Sequence, residues 1–229
     1  MKFIIGNWKM NGDMASKESM LKSLKTVKSG NKIVLCLPFT LLCGKNNSGI
    51  SIGAQDVSFH ENGAYTGDIS ATMLKEMGVE YVIVGHSERR TSHDETNEIV
   101  RQKATTAIKN GIIPIICVGE TMEEKNAGHT TSVIKKMLLE SIPDNGEFIV
   151  AYEPRWAIGS GLTPTTNEIV SAVKTIFETL PNTMPIIYGG SVNKDNARDI
   201  ISIPYVDGLL IGGASLKSDT FLPIIKAID

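Results

Sequence analysis

Residues Tyr81 to Gly119 read YVIVGHSERRTSHDETNEIVRQKATTAIKNGIIPIICVG, and the reading of this stretch decides the fold. YVIVG is a short apolar run without strict alternation, the pattern of a strand covered on both faces. From Ser92 to Lys109 the period changes. Ser92 and Glu95 have the S-x-x-E spacing of a capping box, and Ile99, Val100, Ala104, Ala107 and Ile108 share one face at helical spacing. Gly111 supplies a helix stop, and the apolar run IIPIICV follows at once. The spacing predicts one strand, a crossover helix and a second, parallel strand.

The same alternation runs the length of the chain. FIIG (Phe3 to Gly6), KIVLCL (Lys32 to Leu37), ISIGAQ (Ile50 to Gln55), FIVAY (Phe148 to Tyr152), MPIIYGG (Met184 to Gly190) and VDGLLIG (Val206 to Gly212) bring the buried-strand runs to eight. Amphipathic stretches at Met14 to Lys28, Glu120 to Ser141, Thr166 to Leu180 and Asp219 to Ile228 lie between or after them. Eight β-then-α units without a composition shift or linker predict an α/β fold, a single (β/α)8 barrel over residues 1–229 with parallel inner strands. Such barrels run to about 250 residues, and this chain has 229. The shortfall falls between Thr40 and Gly49, where LLCGKNNSG leaves room for little more than one or two helical turns, so the second helical connection is predicted to be shortened. The connection from Asn193 to Ile203 is also brief. A doubly wound open sheet is the alternative, disfavoured because no G-x-G-x-x-G opens a helix after a strand.

Composition narrows the partners. With 41% hydrophobic and 21% charged residues, a net charge of -2 and no block of five like charges, the chain points to neither nucleic acid nor a membrane surface. Three cysteines without C-x-x-C spacing predict reduced thiols and no zinc site. No apolar run approaches 18 residues, so a soluble, cytoplasmic protein is expected.

In a barrel the chemistry gathers where strands give way to loops. Asn7, Trp8 and Lys9 follow the first strand; His86, Ser87, Glu88, Arg89 and Arg90 follow the fourth; Cys117 and Glu120 end the fifth, and Glu153 the sixth. GGSV (Gly189 to Val192) and GGAS (Gly212 to Ser215) end the seventh and eighth. Singly these are ordinary: a surface lysine, a structural histidine, two turns. Together they are not, because adjacent glycine-rich turns can turn several backbone N–H groups on one anion. Glu153 lies between an apolar strand and Pro154, where burial is expected to raise its pKa toward that of a working base. The stretch AYEPRWAIGSGLTPT (Ala151 to Thr165) then carries Trp156 and Ile158 through a glycine-rich segment, either a docked surface loop or a lid beside Glu153.

GNWKMNG, VGHSERR, YEPRWAIGSG, YGGSV and DGLLIGGAS, in this order, resemble the triosephosphate isomerase family across essentially the whole chain. The resemblance implies a TIM barrel that interconverts dihydroxyacetone phosphate and D-glyceraldehyde 3-phosphate through an enediolate, in glycolysis and gluconeogenesis, with no cofactor or metal. It implies Glu153 as base, His86 as neutral electrophile and Lys9 as stabiliser of the enediolate, with Asn7 orienting the oxygens. Gly159, Ser191, Gly212 and Gly213 would hold the phosphate, the first from a lid carrying Trp156 and Ile158. Ser87, Glu88 and Cys117 would set the geometry of these groups. FHENGAYTGD (residues 59–68) resembles the loop that inserts into a neighbouring subunit, implying a homodimer with Thr66 and Arg89 at the contact. The chain departs from the family pattern at Arg155, Ser160 and Leu162 in the lid, and at His93 and Asp94 in the region that would receive the loop. Another phosphate-binding barrel enzyme, or a barrel that only binds a metabolite, are the competing readings.

Overall fold

The computed structural model describes residues 1–44, 46, 48–158, 162–180 and 184–229. Eight parallel strands close into a barrel in sequence order: β1 (Phe3–Asn7), β2 (Lys32–Leu37), β3 (Ser51–Ala54), β4 (Tyr81–Val84), β5 (Ile113–Val118), β6 (Ile149–Tyr152), β7 (Ile186–Tyr188) and β8 (Gly208–Ile211). Closure is made by β1 against β8, with Ile5 opposite Leu210. Around the strands run α1 (Met14–Leu24), α2 (Ala71–Glu76), α3 (Ser87–Ser92), α4 (Asn97–Lys109), α5 (Met122–Asn126), α6 (Thr130–Ser141), α7 (Thr166–Thr179), α8 (Ala197–Ile201) and α9 (Ser218–Ile228).

The lack of alternation in the strands follows from this architecture. Ile5, Val34, Ile83, Ile115, Ile149 and Ile187 fill the barrel interior. Their strand neighbours Ile4, Leu35, Val82, Ile116, Val150 and Ile186 pack outward under the helices. Both faces of each strand are therefore buried, and the open-sheet alternative is excluded by the β1–β8 pairing.

Three helical expectations need correction. The Ser92–Glu95 capping box does not form: Ser92 closes α3, Asp94 adopts a left-handed φ of 53°, and Thr96 caps α4 by accepting from Ile99 N–H. Glu95 instead turns inward against Arg89 and Lys103, because a buried carboxylate gains more from two cations than from a helix end. The expected helix over Met14 to Lys28 ends at Leu24, where Thr26 and Val27 bond back to Ser23 and Leu24 in a tightened last turn. The stretch Glu120 to Ser141 divides into α5 and α6 because Gly128, at φ 73°, turns the chain between them.

The shortened second connection is present: between β2 and β3 the described residues hold a single 3-10 turn, Phe39–Leu41. Leu41 and Leu42 are buried there, in place of a helix face, and the buried Lys17 of α1 donates to the Cys43 carbonyl at 2.6 Å. Among the described residues no helix is long and apolar enough to cross a membrane.

Candidate active site

Strand closure brings the C-terminal ends of β1, β4, β6, β7 and β8 around a cavity of about 310 Å3. Asn7, Lys9, His86, Glu153, Ser191, Gly212 and Gly213, seven of the eight residues predicted to act on or bind the substrate, line it. The eighth, Gly159, lies outside the described residues, as does Ser160.

Lys9 reaches the cavity through local strain. Its φ is 53°, a left-handed conformation that a side chain adopts at a cost of about 1–2 kcal/mol. The Asn7 amide oxygen, accepting Lys9 N–H at 3.0 Å, helps to hold the turn. Buried Trp8 locks the same turn to the end of β8 by donating from Nε1 to the Ser215 carbonyl at 3.0 Å. The Lys9 ammonium then crosses the mouth and pairs with Glu88 Oε1 at 2.7 Å.

His86 precedes the first residue of α3. Its Nδ1 accepts from Glu88 N–H at 3.2 Å, so the ring proton lies on Nε2, which faces Glu153 Oε1 at 3.1 Å. Glu153 is only 2% exposed. Its other oxygen lies 3.4 Å from Ser87 N–H, and the Cys117 thiol, held protonated by burial, also bonds to the carboxylate.

These partners overturn the expected direction of the Glu153 titration. Burial does push its pKa up, but the His86 charge, the His86 and Cys117 hydrogen bonds and Ser87 N–H outweigh it, and the net shift is downward. For His86, burial opposes the charged form, while the Glu153 carboxylate and Glu88 draw the pKa upward and prevail with Glu153 at 3.1 Å. A group whose pKa is depressed loses its charge as pH falls through the depressed value. His86→Gln removes the ionisable imidazole that draws the Glu153 pKa down and leaves burial, so the acid limb of kcat/KM should move to higher pH than in the parent protein. A limb that stays in place or moves lower, in paired pH profiles, would contradict this electrostatic account.

The glycines of this face answer to packing. A Cβ on Gly190 would lie 2.1 Å from the Tyr188 hydroxyl, and one on Gly189 would lie 2.8 Å from Glu153 Cγ. The backbone of this turn is therefore packed too closely against Tyr188 and Glu153 to carry a side chain without displacing them. Gly213 opens a 3-10 turn, Gly213–Ser215, and the Ser191 hydroxyl donates to the Ala157 carbonyl at 3.2 Å.

Trp156 and Ile158 go to different places. Ile158 lines the cavity, whereas Trp156 donates from Nε1 to Glu120 at 2.9 Å and lies under the Lys125 ammonium, 3.4 Å from its ring centroid. Arg155, whose effect sequence left open, donates to Thr91 Oγ1 on α3 at 2.7 Å. Leu162 is about half exposed.

Outside the cavity, Arg89 pairs with Asp56 at 2.8 Å and with Glu95 at 2.5 Å, bordering a groove beside Lys9 and His93. Thr66 is exposed on the projecting loop, whose His60 and Tyr65 rings stack at 3.6 Å. Sequence reasoning missed Leu210, Leu216 and Asn193, which also line the cavity. The inward parity of β8 signals Leu210; nothing in the local sequence signals Leu216. Among the described residues no three His, Cys, Asp or Glu side chains gather as metal ligands.

A buried carboxylate beside an N–H imidazole can move a proton at carbon while the imidazole serves an adjacent oxygen. An ammonium and two glycine-rich turns can receive an anion in the same cavity.

The profile of the family described as Triosephosphate isomerase matches residues 2–228. The chain is 44% identical to a triosephosphate isomerase of Gluconacetobacter diazotrophicus, across 99% of this chain and 98% of the relative. It is 45% identical to one of Albidiferax ferrireducens over the same shares. A crystal structure of triosephosphate isomerase from Bartonella henselae superposes with a TM-score of 0.88 at 38% identity, covering 99% of this chain and 98% of that one.

Proposed function

The chain belongs to the triosephosphate isomerase family, and from that premise we propose that it interconverts dihydroxyacetone phosphate and D-glyceraldehyde 3-phosphate as one catalytic domain over residues 1–229. The observation that carries the reading is the Glu153–His86 contact, 3.1 Å long, inside a cavity that Lys9 and two glycine-rich turns also line.

In this mechanism the Glu153 carboxylate takes a proton from C1 of the ketose, and the C1–H electron pair becomes the C1–C2 double bond of an enediolate. The carbonyl π electrons move to the C2 oxygen, where His86 Nε2–H and the Lys9 ammonium stabilise the developing charge. Glu153 returns the proton to C2, and a proton passes between the two oxygens by way of His86. Once the carboxylate turns toward the substrate carbon, the main upward pull on His86 weakens. Burial and the Glu88 N–H into Nδ1 remain, and both favour the neutral ring, which is this family's own known state for the residue. Asn7 orients the oxygens. N–H groups at Ser191, Gly212, Gly213 and Gly159 hold the phosphate, with Ser87, Glu88 and Cys117 fixing the groups they touch. Excluding water strengthens these interactions and suppresses loss of phosphate from the enediolate.

The experiment is conversion of glyceraldehyde 3-phosphate by purified protein, coupled to NADH-consuming reduction of dihydroxyacetone phosphate. No conversion by folded protein would reject the activity.

The protein acts in the cytoplasm as a homodimer, the loop of residues 59–68 placing Thr66 in the partner's groove beside Lys9 and His93, with Arg89 at its edge. The stacked His60 and Tyr65 support this reading by stiffening the loop. Sedimentation should return about twice the 24.8 kDa chain mass, and the mass of one chain at micromolar concentration would refute it.

A further inference from the structure

Asn196 stands at the N-cap of α8, yet its side chain makes no capping hydrogen bond to that helix. It reaches backward into the turn that follows β7. Nδ2 donates to the Ser191 carbonyl at 3.0 Å, and Oδ1 accepts from Asn193 N–H at 2.8 Å. Asn193 answers with its own Oδ1, which accepts from the backbone N–H groups of Asp195 and Asn196 at 2.8 and 3.1 Å. Ser191, Val192 and Asn193 all line the active-site cavity, and Asn196 does not. A trans peptide points its carbonyl and its N–H in opposite directions. Fixing the Ser191 carbonyl toward Asn196 therefore fixes the Val192 N–H away from it, and among the described residues no backbone acceptor takes that N–H.

We infer that Asn196 is a positioning residue for anion binding: one side-chain amide, spanning Ser191 and Asn193, holds the donors of the β7 turn at the phosphate end of the cavity. An asparagine is suited to this because it offers a donor and an acceptor on one planar group. An ordinary N-cap would spend the acceptor on α8, a helix of five residues. Ser191 is also tied through its hydroxyl to the Ala157 carbonyl. Loosening the turn therefore frees the donors at one end and keeps this tie to the segment after Glu153 at the other. The inference rests on the phosphate-bearing substrate of the preceding section.

Asn196→Asp and Asn196→Ala test it. Asp keeps the acceptor for Asn193 N–H and replaces the donor that faces the Ser191 carbonyl; Ala removes both. Competitive inhibition by inorganic phosphate should weaken about tenfold in each variant, the scale of one ordinary hydrogen bond. The KM for glyceraldehyde 3-phosphate should rise by a similar factor with kcat within threefold, and kcat/KM for D-glyceraldehyde, which has no phosphate, should match the parent. Unchanged phosphate inhibition in both variants overturns the inference. So does a parallel fall for D-glyceraldehyde, which would show a general structural role. Should the parent protein not isomerise glyceraldehyde 3-phosphate, the functional reading fails by itself, and calorimetric titration with inorganic phosphate still reports whether the clamp controls anion affinity.

Discussion

Glu153→Gln is expected to lower kcat for glyceraldehyde 3-phosphate by about 10²–10⁴-fold, the range typical of a positioned general base. The substitution keeps the length of the side chain and an oxygen able to accept from Ser87 N–H, so the cavity retains its shape. It removes what an amide cannot supply, a basic oxygen and the second acceptor that faces His86 Nε2–H. KM should change little, because the groups proposed to receive the anion, Lys9 and the glycine-rich turns among them, are left untouched. A fall of less than a hundredfold, with near-native circular dichroism, would reject Glu153 as the base and shift attention to His86. Glu153→Asp separates chemistry from position. The carboxylate remains but is drawn back toward β6, and a displacement of about 1 Å at a reacting group can by itself cost roughly 10²-fold. Comparable losses for Asp and Gln would mean that placement carries as much of the rate as basicity.

What placement requires was only partly legible in the sequence. The eight apolar runs identified the barrel because burial on both faces leaves a signature within each run, and the candidate site residues could be named because they stand where those runs end. Directions of titration were not legible. Glu153 was read as a base raised by burial, since the position before Pro154 shows burial, whereas the imidazole, thiol and N–H that reverse the shift come from β4 and β5, more than 30 residues away. Glu95 shows the same limit in reverse. Its spacing from Ser92 suits a cap, but its fate is set by Lys103 and Arg89, which pair with it inside the fold. Asn196 was invisible because its role is written in the direction of an amide, and a sequence records only that an asparagine precedes a short helix. Trp156 was read together with Ile158 from proximity; the indole goes instead to Glu120 and Lys125, partners that the sequence places in a different connection.

Gly119→Ala carries the placement argument furthest. Gly119 follows β5, and a Cβ there would lie 1.8 Å from the Glu153 carbonyl oxygen and 2.5 Å from its carbonyl carbon. The obstruction is backbone, so no change of rotamer relieves it. The end of β6 must retreat, against the Glu153 N–H bond to the Val118 carbonyl at 2.8 Å, and Pro154 must move with it. Overpacking of this kind costs about 1–3 kcal/mol or more. At roughly 2–4 °C per kcal/mol for a chain of this size, Tm should fall by about 5–10 °C. Glu153 is displaced in the same movement, so kcat should fall about 10²-fold at temperatures where the variant is still folded. Two further substitutions calibrate the result. Gly189→Ala meets Glu153 at Cγ, 2.8 Å away, and a side chain can turn aside where a backbone cannot. Its loss should therefore appear in kcat with a smaller change in Tm. Gly30→Ala meets nothing within 4 Å and should leave both within about 0.5 kcal/mol of the parent. If Gly119→Ala melts and turns over like Gly30→Ala, β6 yields to a methyl group without moving its glutamate, and the rigid seating of Glu153 against β5 is not what sets the rate.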